Sequence, residues 1–306
     1  MKKKIMLVLI VLVSILAYIS TAEAENKDRI LDFNIKYWKW RGTLNWTVSG
    51  YTEDPYNPGY NTPFKSELNW DMDSTHMLIF NGKLRPLSWL SINLTSGIGF
   101  IPSGVCTDTD WLLAYSSAIP WSKTKNPAYG SSFFYNADIN FYLLREKQSS
   151  LGLFVGYGAN SINLVDIDPL SYIYSEWIYY GGVDTYPGLN STYDITWKGF
   201  RIGLKRKIQP IPQLTLSGKV SYSPVNVDGE GFWNLRTDVD PAGWRFYQSG
   251  TGNSLECELE IGIIPAENIA FQIGYRYQIF AIAESDSWDN CRTSQSGIYI
   301  RGGLKL

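Results

Sequence analysis

The chain has a single histidine, His76, among its 306 residues, and only three cysteines, Cys106, Cys257 and Cys291. Their spacing lacks any zinc-site pattern, so no metal site is expected. An odd cysteine count rules out a fully paired framework within one exported monomer. Cys106 and Cys291 fall in expected outer loops and could bridge, while Cys257, in mid-strand, reads as a small buried hydrophobe. Charge is also scarce, at 18% of residues with a net of −2. No basic block points to nucleic acid.

Long apolar runs are missing too, with one exception at the start. Met1-Lys2-Lys3-Lys4 is a positive segment, residues 5–19 are apolar, and Thr21-Ala22-Glu23-Ala24 ends in A-x-A. This predicts a secretory signal peptide over residues 1–24, cleaved after Ala24. The run is shorter than the roughly 20 residues a spanning helix needs. Residues 25–306 are left as one domain.

Aromatics, by contrast, make up 15% of the chain. An exported chain rich in Tyr, Trp, Gly, Ser and Asn, without helical periodicity, suggests an all-β barrel in the outer membrane. Strands of such barrels alternate lipid-facing apolar and lumen-facing polar residues. In residues 89–101, Leu90, Ile92, Leu94, Ile98 and Phe100 share one face, against Ser91, Asn93 and Thr95. Residues 133–143, 151–159 and 214–222 repeat the pattern. In residues 255–263, Glu256, Glu258 and Glu260 oppose an apolar face, which fits a polar lumen where Arg276 offsets part of the charge. Residues 34–46, 66–80, 193–205, 269–280 and 297–306 complete ten antiparallel strands. Short turns at 83–87, 145–149, 208–213 and 265–268 alternate with long outer loops at 48–64, 102–130, 167–190, 229–245 and 285–294. That asymmetry is the barrel's own.

Several segments occur in the order found in one family. Ser66-Glu67-Leu68-Asn69-Trp70 opens the second strand, Asp108-Thr109-Asp110-Trp111 lies in the second outer loop, Ser171-Tyr172-Ile173-Tyr174-Ser175 in the third, and Gly302-Gly303-Leu304-Lys305 in the closing strand. Together with the strand count, the chain resembles the omptins, ten-stranded outer-membrane aspartyl-type proteases. The resemblance implies a rim site where two acids face a His–Asp pair across a water. The acids carry over onto Asp108 and Asp110. The other half does not: residues 228–241 contain no histidine. A loose alignment places Asp238 in the histidine's position and Arg236 in that of its partner. His76, with the parity of Trp70, Leu78 and Phe80, is expected to face outward, far from Asp108. A base must reach its water.

Three functions follow as expectations. The first is a protease-inactive surface binding protein or adhesin, taking a peptide or host ligand at its outer loops. Tyr51, Tyr56, Tyr60, Trp111, Tyr115, Trp121, Trp177, Tyr179, Tyr180, Trp233, Trp244 and Trp288 would be its contacts or, alternatively, membrane-girdle residues. The second is an active endopeptidase in which Glu230 or Asp238 serves Asp108 and Asp110, with carboxylates sharing a proton. Asp166, Asp168, Glu176 and Asp184 would then be acidic subsites. The third is a small pore, which lumen side chains would tend to plug. No cofactor is expected; lipopolysaccharide is a structural partner that the resemblance implies.

Overall fold

The computed structural model describes residues 31–146, 148–168, 170–175, 185–235, 241–266 and 269–305. The expected signal peptide lies outside them. Twelve strands form one antiparallel sheet. They are β1 (Leu31–Glu53), β2 (Asn61–Leu87), β3 (Leu90–Leu112), β4 (Ser122–Arg145), β5 (Ser149–Ile167), β6 (Leu170–Ser175), β7 (Thr185–Tyr186), β8 (Asn190–Ile211), β9 (Leu214–Trp233), β10 (Trp244–Ala266), β11 (Ile269–Glu284) and β12 (Asn290–Lys305). β6 and β7 pair with each other in the third outer loop, and β6 leans on the top of β4. The other ten close into a ring, since β3 pairs with β4 and β1 with β12. Closure leaves no strand edge in lipid, where unpaired backbone groups would cost several kcal/mol each.

The lower outer wall is an apolar belt. Phe33, Ile35, Leu78, Phe80, Leu94, Ile98, Phe133, Ile139, Leu259 and Ile300 are exposed there, as the alternation predicts for a lipid face. The strands rise well above this belt. β2 is 27 residues long, against the about 9–11 a tilted strand needs to cross a bilayer. Outer segments expected as loops are therefore mostly strand. Only residues 113–121 connect β3 to β4, and Asp108 and Asp110 sit on β3 itself.

One consequence of these tall strands escapes simple alternation. Bulges interrupt the β2–β3 ladder between Met72 and His76, and the β3–β4 ladder between Ile101 and Gly104. An added residue flips every side chain beyond it to the other face. Leu68, Trp70 and Met72 are buried in the lumen above the bulge, whereas Thr75, Met77 and Ile79 are buried below it. Trp70 therefore faces inward although it shares the parity of outward Leu78. His76 stays outward, held by the Tyr37 hydroxyl and by Ser74 Oγ at 3.3 Å. From His76 to Leu68, the residue paired with Asp108, is about 26 Å along the strand at roughly 3.3 Å per residue.

The cysteines differ from expectation as well. Cys106 and Cys291 are free thiols, each buried on a lumen face. Their bridge is not made: Cys106 on β3 and Cys291 on β12 are separated by β2 and β1, about 14 Å across three strand spacings, beyond the roughly 7 Å between Cα atoms that a disulfide spans. Cys257 is half-exposed, on the outward face with Leu255 and Leu259, so it is not a core residue.

A polar layer crosses the middle of the lumen. Glu256 Oε2 accepts from Arg276 Nη2 at 3.2 Å and Arg201 Nη2 at 3.3 Å, and Glu256 Oε1 from Lys219 at 2.5 Å. Glu258 meets Lys36 at 3.0 Å, and Glu260 meets Arg301 at 3.2 Å. The Arg276 guanidinium lies over Trp38 and Phe134, 4.8 and 4.6 Å from the ring centres. Trp38, Met77, Phe134, Phe154 and Tyr299 pack around it and are buried. This layer plugs the barrel. Removing the shared carboxylate with Glu256→Ala would strand buried cations, a loss of about 3–5 kcal/mol. Urea unfolding of the micelle-embedded variant should show a lower midpoint; an unchanged midpoint would contradict the assigned role.

Candidate functional site

Above the belt, the lumen opens into a cup whose walls are the upper halves of the strands. On β3, Asp108 lies opposite Leu68 and Thr124, and Asp110 opposite Ser66 and Ser122. Directly opposed residues share a face. Leu68, Ser66 and Thr124 are buried, so both aspartates belong to the lumen face. Extended backbone brings them to the same side, one residue apart.

Beneath them is a buried polar cluster. Cys106 on β3 neighbours Asn126 on β4, and Asp166 on β5 reaches across to accept a hydrogen bond from Trp70 Nε1 at 2.9 Å. Burial pushes the Asp166 carboxyl up to about 6, against the opposing pull of hydrogen bonds from Trp70, Cys106 and Asn126. Burial, together with the charges of Asp166 and Asp108, holds the Cys106 thiol well above its ordinary range. Asp166 is thus a load on the wall rather than a solvated subsite. Its neighbour Asp168 has a different task. It accepts backbone N–H bonds from Gly188 at 2.7 Å and Leu189 at 2.9 Å, fixing a turn in which Gly188 has a φ of 92°. Its carboxylate is spent on the loop. Glu176, Asp184 and Asp238 lie outside the described residues, as do Trp177, Tyr179, Tyr180 and Arg236.

Aromatic rings fill the centre of the cup. Trp70 of β2 stacks on Tyr193 of β8 with centroids 5.0 Å apart, spanning the lumen past β3, β4 and β5. Trp46 of β1 joins Tyr193 at 5.9 Å and Phe246 of β10 at 6.3 Å. Phe246 in turn contacts Trp233 at 5.3 Å and Trp244 at 5.0 Å. Such contacts are worth about 0.5–1.5 kcal/mol each beyond their burial. The Tyr193 hydroxyl donates to Gln248 Oε1 at 2.9 Å.

The β9 wall, across the ring from β3, explains how those rings fit. Its lumen positions at this height are Gly229 and Gly231, and any side chain there would collide with them. A Cβ on Gly229 would lie 2.9 Å from both Trp288 Cζ2 and the Tyr193 hydroxyl, and one on Gly231 would strike the Phe246 ring. Glu230, between them, faces the outside, where it is ion-paired with Arg245. It was expected to serve the aspartates across the groove; strand alternation turns it away from them.

The loop aromatics therefore sort into separate places. Trp233, Trp244 and Trp288 belong to the lumen cluster. Trp111 faces outward, with the Lys65 ammonium 4.8 Å above its ring. Tyr56 and Tyr115 meet edge to face at 5.1 Å, beside Asp54, whose carboxyl the Tyr115 hydroxyl keeps below the ordinary range. Tyr51 and Tyr60 are 76% and 73% exposed at the tips. Trp46, Trp70, Tyr193 and Phe246 were not among the expected site residues. The bulge hid the facing of Trp70, and the others carried no signal beyond their ring. Among the described residues, no group of three His, Cys, Asp or Glu side chains is arranged to hold a metal ion.

Asp166 makes the cup sensitive to pH in a definite direction. Its folded value of about 6 exceeds the unfolded one, about 3.9. The native state binds the proton more tightly, so stability falls as pH rises from about 4 to about 6 and then levels off, by about 2–3 kcal/mol in all. Thermal unfolding followed by tryptophan emission should show this slope in the parent and its loss in Asp166→Asn. An equal slope in both would assign the effect elsewhere.

A model of the omptin family matches residues 47–234. The outer membrane protease OmpT of Escherichia coli is similar in fold, with a TM-score of 0.67 and 18% identity over 92% of this chain and 99% of that one. The translocator domain of the autotransporter NalP from Neisseria meningitidis is 11% identical over 95% of this chain and 93% of that one, with a TM-score of 0.42. No curated protein matches the sequence. With the family match spanning more than half of an outer-membrane ring of ten strands, the chain belongs to the omptin family.

Proposed function

We propose that this omptin-family barrel is a protease-inactive surface binding protein. One observation carries the reading: at the height of Asp108 and Asp110, the described part of the β9 wall presents glycines to the lumen and aromatic rings occupy the space. A water-activating base needs hydrogen-bond reach to its water, and neither outward Glu230 nor outward His76 has it. What remains is a cup with an acidic rim on β3 and a floor of Trp46, Trp70, Tyr193 and Phe246. The acidic rim, above a floor whose rings are buried against one another, is a surface for a basic polypeptide offered by a host or a neighbouring cell.

The bilayer partner in this reading is lipopolysaccharide. Lys39 and Arg41 are exposed on the outward face of β1 just above Tyr37, at the upper limit of the apolar belt, where lipid phosphates would meet them. The signal peptide over residues 1–24 is the export route that such a location requires.

A second reading has one observation in its favour. Asp166, with its carboxyl near 6, carries a proton close to neutrality beneath the rim pair, and carboxylates sharing a proton can activate water. The two readings separate in one assay. The refolded full chain would be given a quenched library of dibasic peptides between about pH 4 and 8, a window covering carboxylate and imidazole titration. The binding reading predicts no cleavage at any pH. It also predicts that a basic peptide quenches tryptophan emission saturably, with Asp108→Asn plus Asp110→Asn weakening it about tenfold, or 1.4 kcal/mol. Cleavage that disappears in Asp108→Ala or Asp110→Ala would overturn it in favour of the peptidase.

A further inference from the structure

Below the plug, the lumen is a chamber lined by cations. Lys83, Lys205, Lys207 and Arg301 line a cavity of about 210 Å³ together with Asp32 and Gln272. The same four cations line an adjoining cavity of about 200 Å³. A third, of about 130 Å³, reaches up toward the plug and shares Lys205 and Arg301 with them. The four residues lie near the lower ends of β2, β8 and β12, beside the short turns, so the chamber opens toward the periplasm. It is separated from the aromatic cup by the layer of Glu256, Arg276, Phe134 and Tyr299.

Each carboxylate lining the chamber is already held by a cation other than Lys205. Asp32 is shared by Lys83 at 3.9 Å and Arg85 at 3.8 Å, both long. Glu260 is taken by Arg301 at 3.2 Å, and Glu258 by Lys36 and Arg276 at 3.0 and 3.6 Å. The Lys205 ammonium contacts the Asn140 amide oxygen and lies 5.0 Å from the Tyr142 ring centre. Lys83 lies over the same ring at 5.4 Å. Among the described residues Lys205 has no carboxylate partner. Positive groups crowded into a lumen walled from lipid by one layer of strand repel one another and are poorly hydrated, which favours an anion between them.

The donors select its shape. Ammonium groups from β2 and β8 and a guanidinium from β12 converge from three walls, and an oxyanion with several acceptor-only oxygens can meet all of them at once. The space exceeds that of one water, about 30 Å³, several-fold. We propose that the inner mouth is a phosphate-binding chamber, in which Lys83, Lys205, Lys207 and Arg301 hold inorganic phosphate or the terminal group of a phosphate monoester. This site is independent of the outer cup and of whether the barrel cleaves peptides.

The test uses the full chain refolded in a maltoside detergent, which carries no phosphate of its own. Inorganic phosphate is titrated against chloride at matched ionic strength, with binding read by calorimetry and by thermal shift. Saturable binding to phosphate alone is expected, weakened about tenfold or more by Lys205→Gln or Lys83→Gln, where tenfold is 1.4 kcal/mol. Lys205→Arg keeps the charge and serves as the folding control; it should retain binding. A parallel titration with glycerol 1-phosphate distinguishes a monoester site, which binds it at least as tightly, from one for free phosphate, which binds it more weakly. Equal stabilisation by chloride and phosphate, or phosphate binding unaltered in the glutamine variants, would overturn the proposal.

Discussion

Everything in this molecule depends on closing a sheet on itself. The β1–β12 ladder, running from Asp32↔Lys305 to Thr47↔Asn290, turns ten strands into a ring and gives each strand one face in lipid and one in the lumen. Closure satisfies the backbone where lipid offers no hydrogen bonds. It also gathers every inward side chain into a narrow interior, so three layers of different chemistry are stacked along one axis. A cationic chamber lies below, a carboxylate–guanidinium plug in the middle, and an aromatic cup above.

In the binding reading proposed above, the cup is where this chain would depart from a peptide-cleaving groove. Catalysis by two facing pairs needs room for a water and a base on the far wall. Here the far wall has given up its side chains at Gly229 and Gly231, and the volume is taken by rings that stack from strand to strand. Trp70 ties this packing to the acidic rim, because it stacks on Tyr193 and donates to Asp166 in the same stroke. Asp108 and Asp110 keep their place on β3 because the bulge in that strand sets their facing.

The belt was legible in the sequence, since alternation is strict wherever one face meets lipid. Leu94, Ile98, Phe133 and Ile139 could be placed outward from pattern alone. The upper lumen was not. Above the bilayer both faces of a strand can be polar or aromatic, so the period-two signal fades, and a single added residue near Ser74 reverses it. That is why Trp70 was assigned the facing of Leu78. The extent of the strands was equally hidden, because segments rich in Gly, Ser and Asn read as loops although they continue the ladders. Glu230 shows the cost. Placed in a loop it could turn toward Asp108, but placed in β9 it cannot. The half-site at Asp108 and Asp110 was visible because its spacing matches a family motif, whereas Asp166 revealed its partner only through a contact between β2 and β5.

The central claim is that the cup is packed with aromatic rings instead of holding a hydrated groove. Exchange of the indole Nε1 protons with water, measured by nuclear magnetic resonance on the refolded barrel labelled with ¹⁵N-tryptophan, tests it most directly. Trp46 and Trp70, 3% and 1% exposed, should exchange far more slowly than exposed indoles such as Trp89, which is 52% exposed. Exchange of Trp46 and Trp70 as fast as that of Trp89 would mean that water fills the cup, and would contradict the account.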